Sequence, residues 1–277
     1  MKMRTMGRVL TGWALALVVA SASWAQESGG APDAEALAKK LANPISDMVS
    51  IPFQFNWDQG VGPNDEPRFV LNIQPVVPFK ISEKWNLIAR WILPYVGQPV
   101  LTTGGESASG FSDIVFSTFF SPRESKGAIW GVGPVLALPT TTDPLLGSGK
   151  WSAGPTFVIL KQSGPWTYGA LANHLWSIAD ATDAPRSDVD QSYVQPFLAH
   201  GWKNGATLTL SSESSANWEA SSDKWTVPVI VQLSKITRLG PFPFSVGGGL
   251  GYYVEKPQDG PEWKLRMAFT VILPAKK

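Results

Sequence analysis

Five charged residues lie inside segments of this sequence that are otherwise dominated by apolar and small side chains. They are Arg90, Asp113, Glu213, Lys264 and Arg266. Ionisable groups in apolar surroundings are costly, so they are commonly paired with one another or placed along a functional path. If these segments enclose a common interior, the five residues have two interpretations. With Lys264 as a further residue of the interior wall, Arg90, Asp113, Glu213 and Arg266 could form a constriction that orients or selects a small solute, or they could pair across the interior and fill it.

The segments around these residues alternate between apolar and polar positions. From Val49 to Trp57 every second side chain is bulky and apolar, and Ser50, Gln54 and Asn56 lie between them. Successive side chains of a strand point to opposite faces, so a period of two predicts a strand with one apolar and one polar face. About twelve such segments follow one another, each about as long as the roughly 9 to 11 residues that a tilted strand needs to cross a bilayer.

The polar face of these strands is predicted to be the interior of a closed barrel. Arg or Lys on the lipid-facing side would cost about 2 to 4 kcal/mol at mid-depth, so Arg90 and Arg266 should point inward. The predicted interior positions are polar and of mixed charge: Gln54, Asn56, Asn72, Gln74, Asn86, Arg90, Asp113, Ser152, Thr156, Thr209, Ser211, Glu213, Gln232, Lys264 and Arg266.

We therefore predict an all-β fold, a transmembrane antiparallel β-barrel of about 12 strands with a short N-terminal helix. Charged residues make up 16% of the chain, below the roughly 25% of soluble domains, yet no stretch after residue 25 is apolar enough for a helical span. The odd-numbered links between segments, beginning with Asp58 to Pro67, are mostly long, and the even-numbered links are short. This alternation is typical of outer-membrane barrels, with long extracellular loops and short periplasmic turns.

Tryptophan gives an independent indication of a membrane setting. Most of the Trp residues after residue 25 lie at an end of a predicted strand, among them Trp85, Trp130, Trp166 and Trp202. Trp used as core filler would fall in the middle of strands more often. The distribution instead predicts aromatic girdles at the two membrane interfaces.

The N-terminus predicts export. Lys2, Arg4 and Arg8 precede an apolar run that ends in the small-residue site Ser23 to Ala25, a pattern typical of a cleaved signal peptide. We expect a signal peptide over residues 1 to 25, a periplasmic segment over 26 to 48, the barrel over 49 to 274 and a tail over 275 to 277. Within the periplasmic segment, Asp33 to Leu41 is predicted to be a helix that either enters the lumen as a partial plug or lies free as a tether.

Several classes of chemistry are excluded or disfavoured. The chain has no cysteine, which excludes disulfides, thiolate catalysis and Cys-ligated metals. Removal of residues 1 to 25 takes away three basic residues and leaves a net charge of −2, so nothing favours nucleic acid as a partner. The two histidines, His174 and His200, make a poor metal site and show no local Ser-His-Asp pattern. We expect no catalytic residue, no cofactor, no metal and no enzymatic activity.

The chain also resembles a large family of outer-membrane transporters linked by name to the MetA pathway of phenol degradation, whose members are often mislabelled neuromedin U. The resemblance begins with LANPISDMVSIPFQ at Leu41 to Gln54 and covers nearly all of the chain beyond the signal peptide. The motifs that carry it further occur in order: Gly110 to Ile114, Gly131 to Pro134, Gln195 to Phe197, Trp225 to Val229 and Ile272 to Pro274. It implies a barrel in the outer membrane that moves small molecules.

The resulting functional prediction is a channel or facilitator for small solutes, with hydrophobic or aromatic solutes suggested by the family name. The expected partners are outer-membrane lipid, a small-molecule solute and the outer-membrane assembly machinery. Two alternatives stay open. One is a barrel with a structural or assembly role, since a barrel of this size can be filled by its own side chains. The other is an outer-membrane lipid hydrolase.

Overall fold

The computed structural model describes residues 33–125, 127–240 and 242–273. The predicted signal peptide and the tail over 275–277 lie outside these residues. One short helix, α1 (Ala34–Leu41), precedes twelve barrel strands, three of which are interrupted and written as two ranges. The strands are β1 (Val49–Val61), β2 (Glu66–Ile73 and Val76–Lys80), β3 (Trp85–Gln98), β4 (Ala108–Phe111 and Ile114–Pro122), β5 (Ala128–Leu138), β6 (Lys150–Ser163), β7 (Trp166–Asp180), β8 (Asp190–Gly201), β9 (Ala206–Ser212 and Ser214–Asn217), β10 (Trp225–Leu239), β11 (Phe242–Glu255) and β12 (Trp263–Leu273).

The twelve strands form one closed antiparallel barrel. Each strand pairs with its neighbours in sequence, and the ring closes where β12 returns to β1, in register from Val49 opposite Leu273 to Gln59 opposite Trp263. A closed ring leaves no unpaired sheet edge. The predicted fold class is therefore confirmed, including the short N-terminal helix. In the described part of the chain no helix has the length and apolar character to cross a membrane.

The links between strands follow the predicted alternation, with one correction. The predicted long first link, Asp58 to Pro67, is wrong, because β1 continues to Val61 and β2 already starts at Glu66. A tight turn is possible here because Gly62 and Asp65 both adopt a positive φ. The other odd-numbered links, 99–107, 139–149, 181–189, 218–224 and 256–262, are longer than most of the even-numbered ones, 81–84, 123–127, 164–165, 202–205 and 240–241.

The outer surface of the barrel carries the bulky apolar side chains. Leu233, Leu250 and Met267 are each more than half exposed in the middle of their strands. Exposed tryptophans lie at both ends, and on β7 Trp166 and Trp176 are separated by ten residues. At about 3.4 Å per residue and a tilt of about 40°, this spacing is roughly 26 Å along the barrel axis. That height matches the apolar band of a transmembrane barrel.

The interior is not polar throughout, which corrects the sequence analysis. Beside β3 to β8 the interior is filled by a buried apolar cluster in which Ile88, Phe119, Val158 and Leu171 pack together. These strands carry large apolar residues on both faces, so the rule that bulky residues face lipid fails there. Beside β1, β2 and β9 to β12 the interior carries mainly polar residues.

The helix α1 lies in the barrel mouth at the end with the short turns. Its N-cap Asp33 accepts a hydrogen bond from the Glu35 backbone N–H, and the buried side chains of Leu37 and Ala38 pack against Ile236 and Ile272 of the barrel wall. The Gln162 side chain donates to the Lys39 carbonyl at 2.9 Å. Of the two interpretations left open by the sequence, the structure favours the partial plug. Ile45, which follows the helix, joins the interior apolar cluster.

The position of the apolar band predicts how the cost of an outward-facing charge depends on its depth in the membrane. Leu233→Arg should lower the free energy of unfolding in lipid vesicles by about 2 to 4 kcal/mol, because it places a cation at mid-depth on the lipid-facing surface. Leu239→Arg is the matched control, since Leu239 is the last residue of β10 and equally outward; there the cost should be about 0 to 1 kcal/mol. Urea unfolding in vesicles measures both, and equal costs would contradict the placement of the band.

Candidate functional site

A bidentate ion pair crosses the interior between β9 and β12. Arg266 donates to both carboxylate oxygens of Glu213, at 2.7 and 2.6 Å. The two strands are separated around the ring by β10 and β11, so the bond is a chord across the lumen rather than a contact between neighbours. Arg266 is only 3% exposed. A planar guanidinium paired in this way is held in one orientation.

The Arg266 pair is anchored to the wall by Asn56. Arg266 Nε donates to Asn56 Oδ1 at 2.7 Å, and the Asn56 amide nitrogen donates in turn to the backbone carbonyl of Val70 at 3.2 Å. Glu213 lies in the gap between the two parts of β9, yet the pairing with β8 and β10 keeps one register on both sides of the gap. The inward direction of its side chain is therefore fixed by the strand.

Arg90 reaches the same interior through two glutamines. Arg90 Nη2 donates to Gln74 Oε1 at 2.7 Å, and Gln74 Nε2 donates to Gln54 Oε1 at 2.8 Å. Gln54 and Asn56 are alternate residues of β1 and so lie on the same inner face. A continuous line of polar contacts thus runs from Arg90 on β3 across β2 and β1 to Arg266 on β12.

A second polar cluster lies next to the first, nearer the end with the long links. Asp58 accepts from Tyr253 Oη at 2.8 Å and from Arg68 at 2.9 Å. Lys264 Nζ lies 3.5 Å from Asp58 and above the Tyr253 ring. Asp58 is almost fully buried, which requires this number of partners. Asp58, Arg68 and Tyr253 were not predicted from the sequence, although Asp58 shares the inward parity of Gln54 and Asn56.

Asp113 is not part of this interior network, and its predicted place in a constriction is wrong. Its carboxylate accepts from the backbone N–H of Thr141 and from both the backbone N–H and the hydroxyl of Ser148. Thr141 and Ser148 belong to the long link between β5 and β6. Asp113 lies at the interruption of β4, where the pairing with β3 slips by one residue. This irregularity turns the side chain towards the loop, which Asp113 fixes in place.

Another long link is held by Lys150. Its ammonium forms ion pairs with Asp180 and Asp188, at 2.5 and 3.0 Å. The hydrogen bond from Lys150 holds the pKa of Asp188 below its ordinary value, and a second hydrogen bond from Ser177 acts in the same direction. The link between β7 and β8 is thereby tied to the start of β6 at the long-link end of the barrel.

A cavity of about 240 Å³ lies between helix α1 and the charged network. Arg90, Glu213 and Arg266 contribute to one part of its wall, and α1 with residues 42–44 contributes to another. Hydroxyl and amide groups supply most of the remaining polar wall: Ser50, Gln54, Gln74, Gln195, Thr207, Thr209, Ser211, Gln232, Ser234, Ser245 and Thr270. The site can therefore offer many hydrogen bonds together with two guanidinium groups and one carboxylate.

The two histidines lie apart from the interior network. His200 lies between the rings of Trp166 and Trp202, with centroids 4.6 and 4.7 Å away, which fits an interfacial residue at the short-turn end. Over the described residues, no group of three or more His, Asp or Glu side chains is arranged to hold a metal ion. His174 lies elsewhere, on the outside of the barrel.

The comparison with solved structures agrees with this architecture. An outer-membrane channel from Pseudomonas putida F1 matches with a TM-score of 0.60 and 16% identity, over 82% of this chain and 96% of the channel. The porin NanC matches with a TM-score of 0.53 and 8% identity, over 82% of this chain and 99% of the porin. Neither a family model nor a curated protein matches the sequence. The likeness shows the fold, and together with the apolar outer band it supports the cell outer membrane as the location.

The Arg266–Glu213 ion pair predicts how the stability of the barrel responds when one or both charges are removed. Glu213→Gln removes the charge partner of a nearly buried guanidinium and should destabilise the barrel by about 3 to 5 kcal/mol. The double variant Glu213→Leu with Arg266→Met removes both charges at similar volume and should recover most of this loss. Unfolding in vesicles measures both. If the double variant were less stable than Glu213→Gln, the cost would not come from an unpaired buried charge.

Proposed function

We propose that this protein is a passive outer-membrane channel for small polar solutes, whose route passes through the cavity between α1 and the Arg90, Glu213 and Arg266 network. The observation that carries the proposal is the cavity itself. A barrel whose interior served only as a core would be filled at native packing density, with few voids larger than a water molecule. Here a space large enough for several atoms is kept open between a removable helix and a paired charge.

The wall chemistry supports a polar solute. Most of the cavity is lined by hydroxyls and amides, and a guanidinium and a carboxylate face it from opposite sides of the lumen. An apolar or aromatic solute, as the resemblance to the MetA-pathway family implies, would leave these groups without hydrogen bonds. The resemblance to that specific family stays a prediction. The cavity is smaller than typical ligand pockets, whose volumes are about 300 to 1,000 Å³, and this favours a small solute.

Two elements would have to move for a solute to pass. At the short-turn end α1 covers the mouth, held by the packing of Leu37 and Ala38 on Ile236 and Ile272. Within the lumen the Arg266–Glu213 pair forms the chord already described. Displacement of α1 breaks few contacts with the barrel, whereas the ion pair could exchange its partner for a charged or polar solute. Membrane lipid surrounds the apolar band, and delivery by the outer-membrane assembly machinery stays a prediction.

The alternative function is a structural or assembly role. The interior apolar cluster around Phe119 and the fully paired Asp58 favour it, since both fill the lumen without leaving a route. Recording in planar bilayers distinguishes the two functions. Discrete conductance steps that depend on Glu213 and Arg266 support the channel. A barrel that folds and inserts but never conducts supports the structural role.

A lock on the helix tests the proposed route. The chain has no cysteine, so Ala38→Cys with Ile236→Cys introduces a single pair within one packed cluster. Oxidation should abolish or strongly reduce the conductance steps, because α1 can no longer leave the mouth, and a reductant should restore them. The two single-cysteine variants are the controls and should not respond to oxidation. If the disulfide forms, as a gel shift on reduction would show, and the conductance is unchanged, the route does not pass α1.

The solute class has its own test. Liposomes that contain the protein should swell in small sugars or zwitterionic amino acids. Glu213→Ala should change the relative rates for cations and anions, because among the described residues Glu213 supplies the one carboxylate of the cavity wall. Gln232→Ala, which removes a neutral cavity side chain, should leave that charge preference unchanged. Faster permeation of phenol than of the polar solutes, dependent on the protein, would contradict the polar assignment.

A further inference from the structure

A group of polar side chains lies on the outer face of the barrel, where bulky apolar residues are the rule. His174 on β7 is directly opposite Ser192 on β8, and Asp190 is opposite Trp176. The inner positions of β7 are occupied by the buried Leu171 and Leu175, so the alternate residues His174 and Trp176 point outward. Ser192 and Asp190 share that outer face through the register of the pair.

The three polar residues form a connected line. His174 Nδ1 lies 2.9 Å from Ser192 Oγ, and His174 Nε2 lies 3.0 Å from Asp190 Oδ1. The Trp218 indole N–H donates to Ser192 Oγ at 2.9 Å. Because Trp218 already supplies a donor, the hydroxyl hydrogen of Ser192 is free to point at Nδ1. The imidazole must then carry its own hydrogen on Nε2, the atom that faces the carboxylate.

The contact between His174 and Asp190 is close but not aligned. His174 Nε2 and Asp190 Oδ1 are both shielded from solvent and neither has a hydrogen bond, although the two atoms are 3.0 Å apart. The short distance is therefore a close contact in which the ring N–H does not point at the oxygen. A small rotation of the imidazole completes the bond. Catalytic hydrogen bonds are commonly poorly aligned before substrate binds.

The depth of this group in the membrane identifies what it could meet. Trp176 belongs to the aromatic girdle at the long-link end, and its opposite residue Asp190 lies at the same level. His174 and Ser192 lie one outward position further into the band, roughly 5 Å along the barrel axis. That level is the boundary between headgroups and acyl chains, where the ester bonds of membrane lipids lie. Ser192 is partly exposed there.

We propose that Ser192, His174 and Asp190 form a serine esterase site on the outer wall of the barrel, which acts on the acyl esters of membrane lipids. Ser192 is the nucleophile and His174 the general base. Asp190 is a positioning residue that holds the imidazole. The Trp218 indole N–H lies close enough to Ser192 Oγ to donate to the carbonyl oxygen of a bound ester.

The chemistry balances with groups that are present and with water. Ser192 Oγ attacks the acyl carbon while its proton passes to His174 Nδ1, and the electron pair of the broken C=O π bond moves to oxygen. Collapse of this tetrahedral intermediate expels the lipid alkoxide, which takes the proton from His174. Water then attacks the acyl-serine with His174 again as base, which releases the fatty acid and restores the Ser192 hydroxyl. The imidazolium that forms in each half of the reaction is paired with the Asp190 carboxylate.

This inference departs from the expectation that the chain has no enzymatic activity. No local Ser-His-Asp pattern is visible in the sequence, since Ser192 is eighteen positions from His174 and Asp190 is sixteen. Only the pairing register of β7 with β8 brings the three side chains together. The site lies on the outside of the barrel, so it is independent of the proposed channel.

A covalent probe and a lipid substrate test the site. The full mature protein in mixed micelles of diacyl phosphatidylcholine should release fatty acid, and a fluorophosphonate should label it at Ser192, as peptide mass spectrometry would show. Ser192→Ala and His174→Ala should each lower fatty-acid release by about 1,000-fold or more. Trp218→Phe keeps an aromatic side chain but removes the N–H donor, and it should lower fatty-acid release by about 100-fold.

The matched control is His200→Ala. His200 is the other histidine of the chain, and it also lies between aromatic rings, but at the opposite girdle; its loss should change neither labelling nor hydrolysis. The shift of unboiled protein on a denaturing gel reports that each variant folds. Wild-type protein that neither reacts with the probe nor releases fatty acid would overturn the proposal, as would hydrolysis that survives Ser192→Ala in a folded barrel.

Asp190→Asn tests the positioning role. Loss of the carboxylate should strongly lower kcat for fatty-acid release and leave KM nearly unchanged, because the imidazole is no longer held in the orientation that serves Ser192. A merely structural Asp190 would lower the amount of folded protein without changing kcat of the folded fraction. The channel experiments are unaffected by these outer variants, so failure of the esterase and failure of the channel give different results.

Discussion

Closure of β12 onto β1 is the constraint on which the rest of this structure depends. Inside a bilayer no water is available for unpaired backbone groups, so a strand can cross only if both of its edges are paired. The eleven residue pairs from Val49 with Leu273 to Gln59 with Trp263 supply the last of those edges. Once the ring is closed, the side chains of each strand point alternately to the lipid and to the lumen. The function of the protein therefore depends on which side chains face the lumen and which face the lipid.

One part of the lumen is filled by packed apolar side chains, and another part contains charged and polar side chains. Beside β3 to β8 it holds an apolar cluster built around Phe119 and Val158, which packs like the interior of a soluble protein. Beside β1 and β9 to β12 it holds paired charges, of which Arg266 with Glu213 links β12 to β9 through the lumen. Buried ion pairs contribute little net stability compared with apolar replacements. Their presence where the same barrel builds a good apolar core elsewhere favours a role beyond filling.

The sequence predicts the elements better than their internal arrangement. Alternation from Val49 to Trp57, and in the later segments, identifies strands because the period of two is a local property of the chain. The Arg266–Glu213 chord depends instead on the curvature of the ring, which brings together residues 53 positions apart. Alternation also fails to distinguish lumen from lipid where both faces are bulky, as at Phe119. Asp113 was misplaced for another reason, since a one-residue slip at the interruption of β4 turns its side chain to a loop.

The polar group on the outer face could not be predicted from the alternation of the sequence. His174, Ser192 and Asp190 occupy positions that alternation assigns to lipid, and polar groups placed there must satisfy one another. Ser192 achieves this with His174 and Trp218, but the His174–Asp190 contact is left shielded and unaligned. An arrangement selected for stability alone would place apolar residues on this face, as the neighbouring Leu208 and Leu210 of β9 do. A constellation that keeps a partly exposed hydroxyl beside a base at the depth of lipid esters is therefore better explained by chemistry than by packing.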